Sequence, residues 1–387
     1  MTKKKSYGLR NLINDIHLWL GLISGIILFI ICFTGTVLTY EKEIKAFFSE
    51  DPKIEAVGEK QTVAALSAKL TAHTAGLVTR VSILETAGAP YAFTVKKNPK
   101  ERRGTTYLMN PYTGEILQNK ENPADGFMMT MFKLHRWLLL DIPWGRPIVG
   151  IATIIFIILS ISGLVLWFPK KLKWKNLKHG FKIKTDANWK RINHDLHNTL
   201  GFYACIFLLV MGLTGLCWSF EGYREGLGNI LGTKVFGNRD LSFSENTLAK
   251  EGTPISYDEA IALAHNNLSY SGKLTLSFPS EKTPYYTMQK YDGNSWMPHA
   301  ADSYMVDLYG NTLHKELFSE KPLNVQIATM IKPLHMGDIF GGFSKFLYFI
   351  ACLIGTSLPI SGTLIWWNKL KKKKGKQHSR NKQIKEN

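Results

Sequence analysis

Four stretches of this chain carry no charged residue over 22 or 23 positions: Leu18–Tyr40, Pro147–Phe168, Asn198–Phe220 and Phe346–Trp367. A helix rises about 1.5 Å per residue, so each stretch covers the roughly 30 Å hydrocarbon core of a bilayer. Buried helices of soluble proteins rarely run so far without a charge. The chain is therefore expected to cross a lipid bilayer four times. That leaves two long segments, 41–146 and 221–345, on one side of the membrane. Segments of this length are expected to fold, because long structureless loops are uncommon.

Charge fixes the expected orientation. Residues 1–16, 169–193 and 368–387 together carry +19, against +18 for the whole chain. Basic flanks stay on the cytoplasmic side. Both termini and the 169–193 loop are thus expected inside, and the two long segments outside. No basic domain of folding size exists to bind nucleic acid, so that partner class is set aside. The first apolar run is too long for a cleaved signal core and no small-x-small site follows it. The four cysteines, Cys32, Cys205, Cys217 and Cys352, all fall in the apolar runs and read as packing residues.

The chain repeats itself. His17-Leu-Trp-Leu-Gly21 opens the first run and His197-Asn-Thr-Leu-Gly201 opens the third; each is followed by a Thr-Gly pair, ending at Gly35 and Gly215. The second and fourth runs share Ile161-Ser-Gly-Leu-Val-Leu-Trp167 and Ile360-Ser-Gly-Thr-Leu-Ile-Trp366. The outer segments match as well. Each begins with a helical pattern, 62–74 and 256–268, the second behind a Ser256-x-x-Glu259 capping box. Strand-like alternation follows at 80–84, 91–97 and 105–117, and again at 273–278, 285–291 and 303–313. The expected fold is membrane α-helical. Four transmembrane helices form a duplicated two-span unit, with two outer α+β domains.

In these features the chain resembles the PepSY-associated transmembrane family. The residues that carry the likeness are the two His-x3-Gly entries, Tyr107-Leu-Met-Asn-Pro-Tyr-Thr-Gly-Glu115, Ser256-Tyr-Asp-Glu-Ala-Ile261 and the two Ser-Gly-x3-Trp exits. The resemblance implies a bacterial inner-membrane protein with two periplasmic PepSY-type domains. It also implies b-type haem and reduction of iron held by siderophores. The expected organisation is then a cytoplasmic N-terminus and first span (1–40), a first periplasmic domain (41–134), and a rim segment with the second span (135–168). A basic cytoplasmic loop (169–193) and the third span (194–220) come next. A second periplasmic domain (221–334), a rim segment with the fourth span (335–367) and a basic cytoplasmic tail (368–387) complete it.

Histidines supply the candidate site. Haem held by two axial imidazoles needs one from each of two facing helices at equal depth. The duplication offers two such pairs, one haem each: His17 with His197 on the inner side, and His135 with His335 on the outer side. His194 competes with His197, because it lies three positions earlier on the same helical face. Gly21 and Gly201 sit one turn beyond their histidines, where a side chain would collide with a porphyrin. Gly25 fits small-x3-small helix packing equally well. Helix breakers separate His135 and His335 from the second and fourth runs, which places them on short interfacial segments. Arg136, with Arg10, Arg146 and Arg191, is a candidate partner for haem propionates. Trp19, Trp137, Trp144, Trp167, Trp218, Trp366 and Trp367 read as an aromatic belt, from which some rings could stack on haem. His73, His265, His299 and His314 read as surface residues of the outer domains.

No Cys-x-x-Cys-His is present, so covalent haem attachment is excluded. No phosphate loop, dinucleotide fingerprint or nucleophile elbow occurs. A reductant from inside would therefore come from a cytoplasmic flavoprotein reductase or from quinol. The expected function is electron transfer through two b-type haems to a ferric siderophore or a similar ferric chelate. Two alternatives are a PepSY-type binding or regulatory protein without redox activity, and a component that transports the siderophore or its iron.

Overall fold

The computed structural model describes residues 7–48, 54–98, 101, 104–117, 122–236, 243, 249 and 251–386, with side chains through residue 372. In chain order its helices and strands are α1 (Leu9–Thr39), α2 (Glu41–Phe47), α3 (Val63–Thr74), β1 (Leu77–Leu84), β2 (Tyr91–Lys96), β3 (Thr105–Met109) and β4 (Ile116–Leu117). Next come α4 (Asp125–Trp137), α5 (Ile142–Trp167), α6 (Trp174–Leu177), α7 (Trp189–Ser219) and α8 (Glu221–Leu231). The chain continues with α9 (Tyr257–Asn267), β5 (Gly272–Ser277), β6 (Tyr285–Asp292), β7 (Ala301–Asp307), β8 (Thr312–Glu316), α10 (Leu323–Met336) and α11 (Gly341–Glu386).

Among the described residues, α1, α5, α7 and α11 are long and apolar enough to cross a membrane. They contain the four uncharged runs. The four close into a bundle: α1 packs on α5 and α11, and α7 packs on the same two. So α1 and α7 stand diagonally, as do α5 and α11. This is the arrangement a two-fold relation between the halves requires. At the end away from the termini, α4 packs against α1 and α5, and α10 against α7 and α8.

The outer segments were expected to form two domains. Each does form one helix and four strands, close to the ranges read from the pattern. The two sets are not separate bodies, however. All eight strands belong to one antiparallel sheet in the order β4-β3-β2-β1-β5-β6-β7-β8. The halves join where β1 pairs with β5, Arg80 opposite Ser277 through Leu84 opposite Lys273. One core serves both: Leu66 and Leu70 of α3, Ala260 and Ala264 of α9, and Val81, Phe93, Leu274, Leu276 and Met288 of the sheet are fully buried together. The domain limits also shift. α4 and α10 begin at Asp125 and Leu323 and so straddle the boundaries expected at 134/135 and 334/335.

Polar contacts stitch the two halves. The Ser256–Glu259 capping box is formed. Asp258, next to it, accepts from the Val63 N–H at 2.8 Å and so caps α3 of the other half. Glu85, at the end of β1, accepts from the Gly272 N–H of β5 at 2.9 Å. Its other oxygen is 3.2 Å from Lys290 Nζ on β6, a lysine with 1% exposure. Lys290 also donates to the Leu268 carbonyl at 2.8 Å and lies 3.0 Å from His265 Nδ1. His265, His299 and His314, expected at the surface, are each half-buried beside a carboxylate: Glu85, Asp338 and Glu316 respectively. Only His73 of that group is exposed.

Burial pushes the Glu85 carboxyl up, but the Gly272 N–H and the Lys290 ammonium outweigh it and hold the group below its usual range. A depressed carboxyl stabilises the fold above the unfolded value, and that contribution fades as pH falls through the folded value. Glu85→Gln leaves Lys290 buried without its carboxylate and is expected to cost about 3 kcal/mol. Thermal melts of the full chain should show the widest gap between wild type and variant near neutral pH. The gap should begin to narrow near pH 4.3, the unfolded value, and close only once pH has fallen below the lower folded value, where glutamate is protonated in either state.

Candidate functional site

The four candidate histidines meet in two pairs. His17 on α1 faces His197 on α7 with ring centres 6.4 Å apart and planes crossed at 88°. His135 on α4 faces His335 on α10 with centres 6.2 Å apart and planes at 56°. The first pair lies toward the end of the bundle that carries the termini. The second lies toward the sheet, about 26 Å further along α1 by helix rise. As the helix breakers suggested, His135 and His335 are not on the long helices. They ride on α4 and α10 and reach into the bundle from its sheet end.

Each ring is held the same way, by a hydroxyl residue followed by glycine on a neighbouring helix. His17 Nδ1 is 2.9 Å from Ser162 Oγ of α5, and His197 Nδ1 is 2.8 Å from Ser361 Oγ of α11. His135 Nδ1 is 2.9 Å from the Ile31 carbonyl and 3.3 Å from Thr34 Oγ1 of α1. His335 Nδ1 is 2.9 Å from the Met211 carbonyl and 3.1 Å from Thr214 Oγ1 of α7. The next residue is glycine each time. A Cβ on Gly163, Gly362, Gly35 or Gly215 would stand 3.2, 3.2, 3.1 or 3.1 Å from the Cε1 of its histidine. That is tighter than an ordinary contact, so a bare backbone lets the ring settle.

These bonds decide the tautomer. A carbonyl can only accept, so Nδ1 of His135 and His335 carries the proton. The hydroxyls of Ser162 and Ser361 donate to carbonyls of their own helices, at 3.2 Å to Leu159 and 3.0 Å to Ser357. Their lone pairs therefore face Nδ1–H of His17 and His197. In all four rings Nε2 is left as a bare lone pair. Fixing one ring nitrogen so that the other can bind a metal is the usual second contact of a histidine ligand.

A cavity of about 530 Å³ opens at the His17–His197 pair. Gly21, Gly163, Gly201, Gly355 and Gly362 line its walls. A Cβ on Gly21 or Gly201 would only touch Leu159 at 3.7 Å or Leu358 at 3.5 Å, so these two glycines are not needed for helix contact. Gly25 is no different: a Cβ there would meet only Pro359, at 3.8 Å. Arg10, Lys170 and Lys369 also line the cavity and give its polar end three cations.

Other candidates fall elsewhere. His194 lines the cavity but does not face His17; its ring lies against Asn198, with Nδ1 3.5 Å from Asp195 Oδ1. Arg191 is taken up by Asp195 at 2.9 Å. Arg136 follows His135, and its guanidinium lies over the rings of Phe132 and Trp137 at 5.5 and 5.8 Å. Arg146 is exposed. Among the described residues, no cluster of three or more His, Cys, Asp or Glu side chains could hold a metal ion by itself.

Residues 15–369 match the family described as the PepSY-associated TM region. The chain belongs to that family. No curated protein matches it. The match spans both histidine pairs, all four long helices and the shared sheet of this PepSY-associated protein.

The long helices carry cradles that reading by residue type missed. The signal was present: Thr34-Gly35 recurs as Thr214-Gly215, and Ser162-Gly163 as Ser361-Gly362. Lys170 and Lys369 each stand seven positions beyond their Ser-Gly glycine. For the cradle at Ser361, the expectation is specific. In cofactor-free protein labelled with ¹⁵N-histidine, wild type should show Nδ1–H tautomers for all four rings. Ser361→Ala should disturb the Nδ1 signal of His197 alone, and Ser361→Thr should retain it. A wild-type Nε2–H tautomer would contradict the assignment.

Proposed function

We propose that this protein is a di-haem b-type electron-transfer protein of the bacterial inner membrane. It carries electrons from the side of the termini to a ferric siderophore, or a similar ferric chelate, on the side of the sheet. The observation that carries the reading is the spacing of the imidazoles. An imidazole nitrogen lies about 1.2 Å from its ring centre and binds a transition metal at about 2 Å. Two rings on opposite sides of one metal therefore have centres about 6.4 Å apart. The two pairs measure 6.4 and 6.2 Å, each with a bare Nε2.

The residues suit haem in further respects. His17 and His197 would hold one haem, Gly21 and Gly201 would leave flat wall beside it, and Arg10, Lys170 and Lys369 would balance the charge of its propionates. His135 and His335 would hold the second, with Arg136 beside His135. Bound haem supplies a one-electron couple at each position. The chain's own work is to fix the rings, exclude water and set the two centres at different depths of the membrane. The basic flanks support a cytoplasmic position for the termini, where a flavoprotein reductase or quinol would supply the electron. At the far side a ferric ion takes up one electron and becomes ferrous, which loosens the hold of hard oxygen ligands.

Protein purified after haem-replete expression is expected to contain two haems per chain and to show b-type bands on reduction. His17→Ala or His197→Ala should lose one, and His135→Ala or His335→Ala the other. Low-spin ferric haem reports the angle between its axial rings in its magnetic anisotropy. The 88° pair should therefore give a more anisotropic resonance than the 56° pair. Protein that stays free of haem under these conditions would sink the reading.

A further inference from the structure

The two-fold relation between the halves breaks beside the sheet-side pair. One helical turn beyond Thr214, on the sheet side of His335, stands Trp218. Its ring centre is 5.2 Å from that of His335. The corresponding position of the first half, one turn beyond Thr34, is Leu38, which has no ring. Trp218 in turn meets Phe236 at 4.9 Å. Phe236 is 38% exposed. Three rings in contact thus lead from the buried pair to the surface, and among the described residues the first half has no counterpart to them.

Phe236 holds its place against a backbone preference. Its φ is +65°, in the left-handed region where a bulky side chain is rare. The residue before it, Val235, is buried with Cys217 and Ile331. An anchored valine followed by a left-handed phenylalanine turns the chain so that the ring lies back on Trp218. Strain of this kind persists where the surroundings impose it and clusters at functional sites.

We propose that electrons leave the protein through the His335–Trp218–Phe236 ring column, and that the ferric chelate is reduced at the Phe236 face. This rests on the di-haem reading. A ferrous haem that His335 would help to hold would supply one electron, becoming ferric, and the ferric ion of the chelate would take it up and become ferrous. The two carbon rings bridge the gap without being oxidised themselves, and no bond forms or breaks in the step. Phe236 offers the chelate an apolar face at the end of that bridge. The first half, with Leu38 in place of the indole, has no such exit.

The test uses the full haem-loaded chain, reduced and mixed with ferric tris(acetohydroxamate). Trp218→Leu should slow reoxidation on the order of tenfold, with both haems bound and both midpoint potentials unmoved. Trp218→Phe should keep the wild-type rate, since it keeps a ring. Leu38→Trp should leave the rate unchanged. In a separate measurement on the same proteins, the redox-inert gallium(III) tris(acetohydroxamate) should bind wild type more tightly than Phe236→Ala by calorimetry. A wild-type rate in Trp218→Leu would overturn the proposal. So would slowing that comes only with a shifted potential at the sheet-side haem, or equal gallium chelate binding by Phe236→Ala. Haem-free wild-type protein would overturn the di-haem reading instead.

Discussion

The bond from a buried imidazole Nδ1–H to a hydroxyl-glycine step on the next helix organises this molecule. It occurs four times. Each occurrence ties two helices together, fixes a tautomer and leaves Nε2 bare. Each needs three things at once: an acceptor oxygen, a missing side chain and a helix held close. Serine and threonine suit the first because in an apolar helix they return their own proton to a backbone carbonyl and keep lone pairs free. Glycine supplies the second. The third comes from the bundle, in which α5 lies against α1 and α11 against α7.

That arrangement explains why the sheet is not two sheets. The pairs are built across the diagonal, one ring from α1 or α4 and one from α7 or α10. The strands follow the same rule, since β1 pairs with β5 of the other half. Asp258 capping α3 and Glu85 reaching Gly272 repeat it in polar form. Bundle and sheet share one logic: both imidazole pairs and the central strand pairing join a residue of one half to a residue of the other.

Much of this was legible in the sequence. Absence of charge over bilayer length marked α1, α5, α7 and α11. Period-two alternation and the Ser256 capping box marked the sheet strands and α9. The duplicated His-x3-Gly entries picked out His17 and His197, and their counterparts before the second and fourth runs picked out His135 and His335. What stayed hidden depends on contacts between residues far apart in the chain. A strand's alternation says nothing of its neighbour, so the β1–β5 join could not be read. Ser162-Gly163 looks like any small pair in a membrane helix until His17 is found against it. His194 and His197 share a face by periodicity; only the position of α11, with Ser361 beside His197, separates them.

One consequence follows from the diagonal pairing. Neither half of the chain contains a complete pair of facing imidazoles, nor both strands of the central join. A single copy of the unit would complete these features only by meeting its twin, as a symmetric homodimer. Leu38 on one side and Trp218 on the other mark where the two halves of this chain differ.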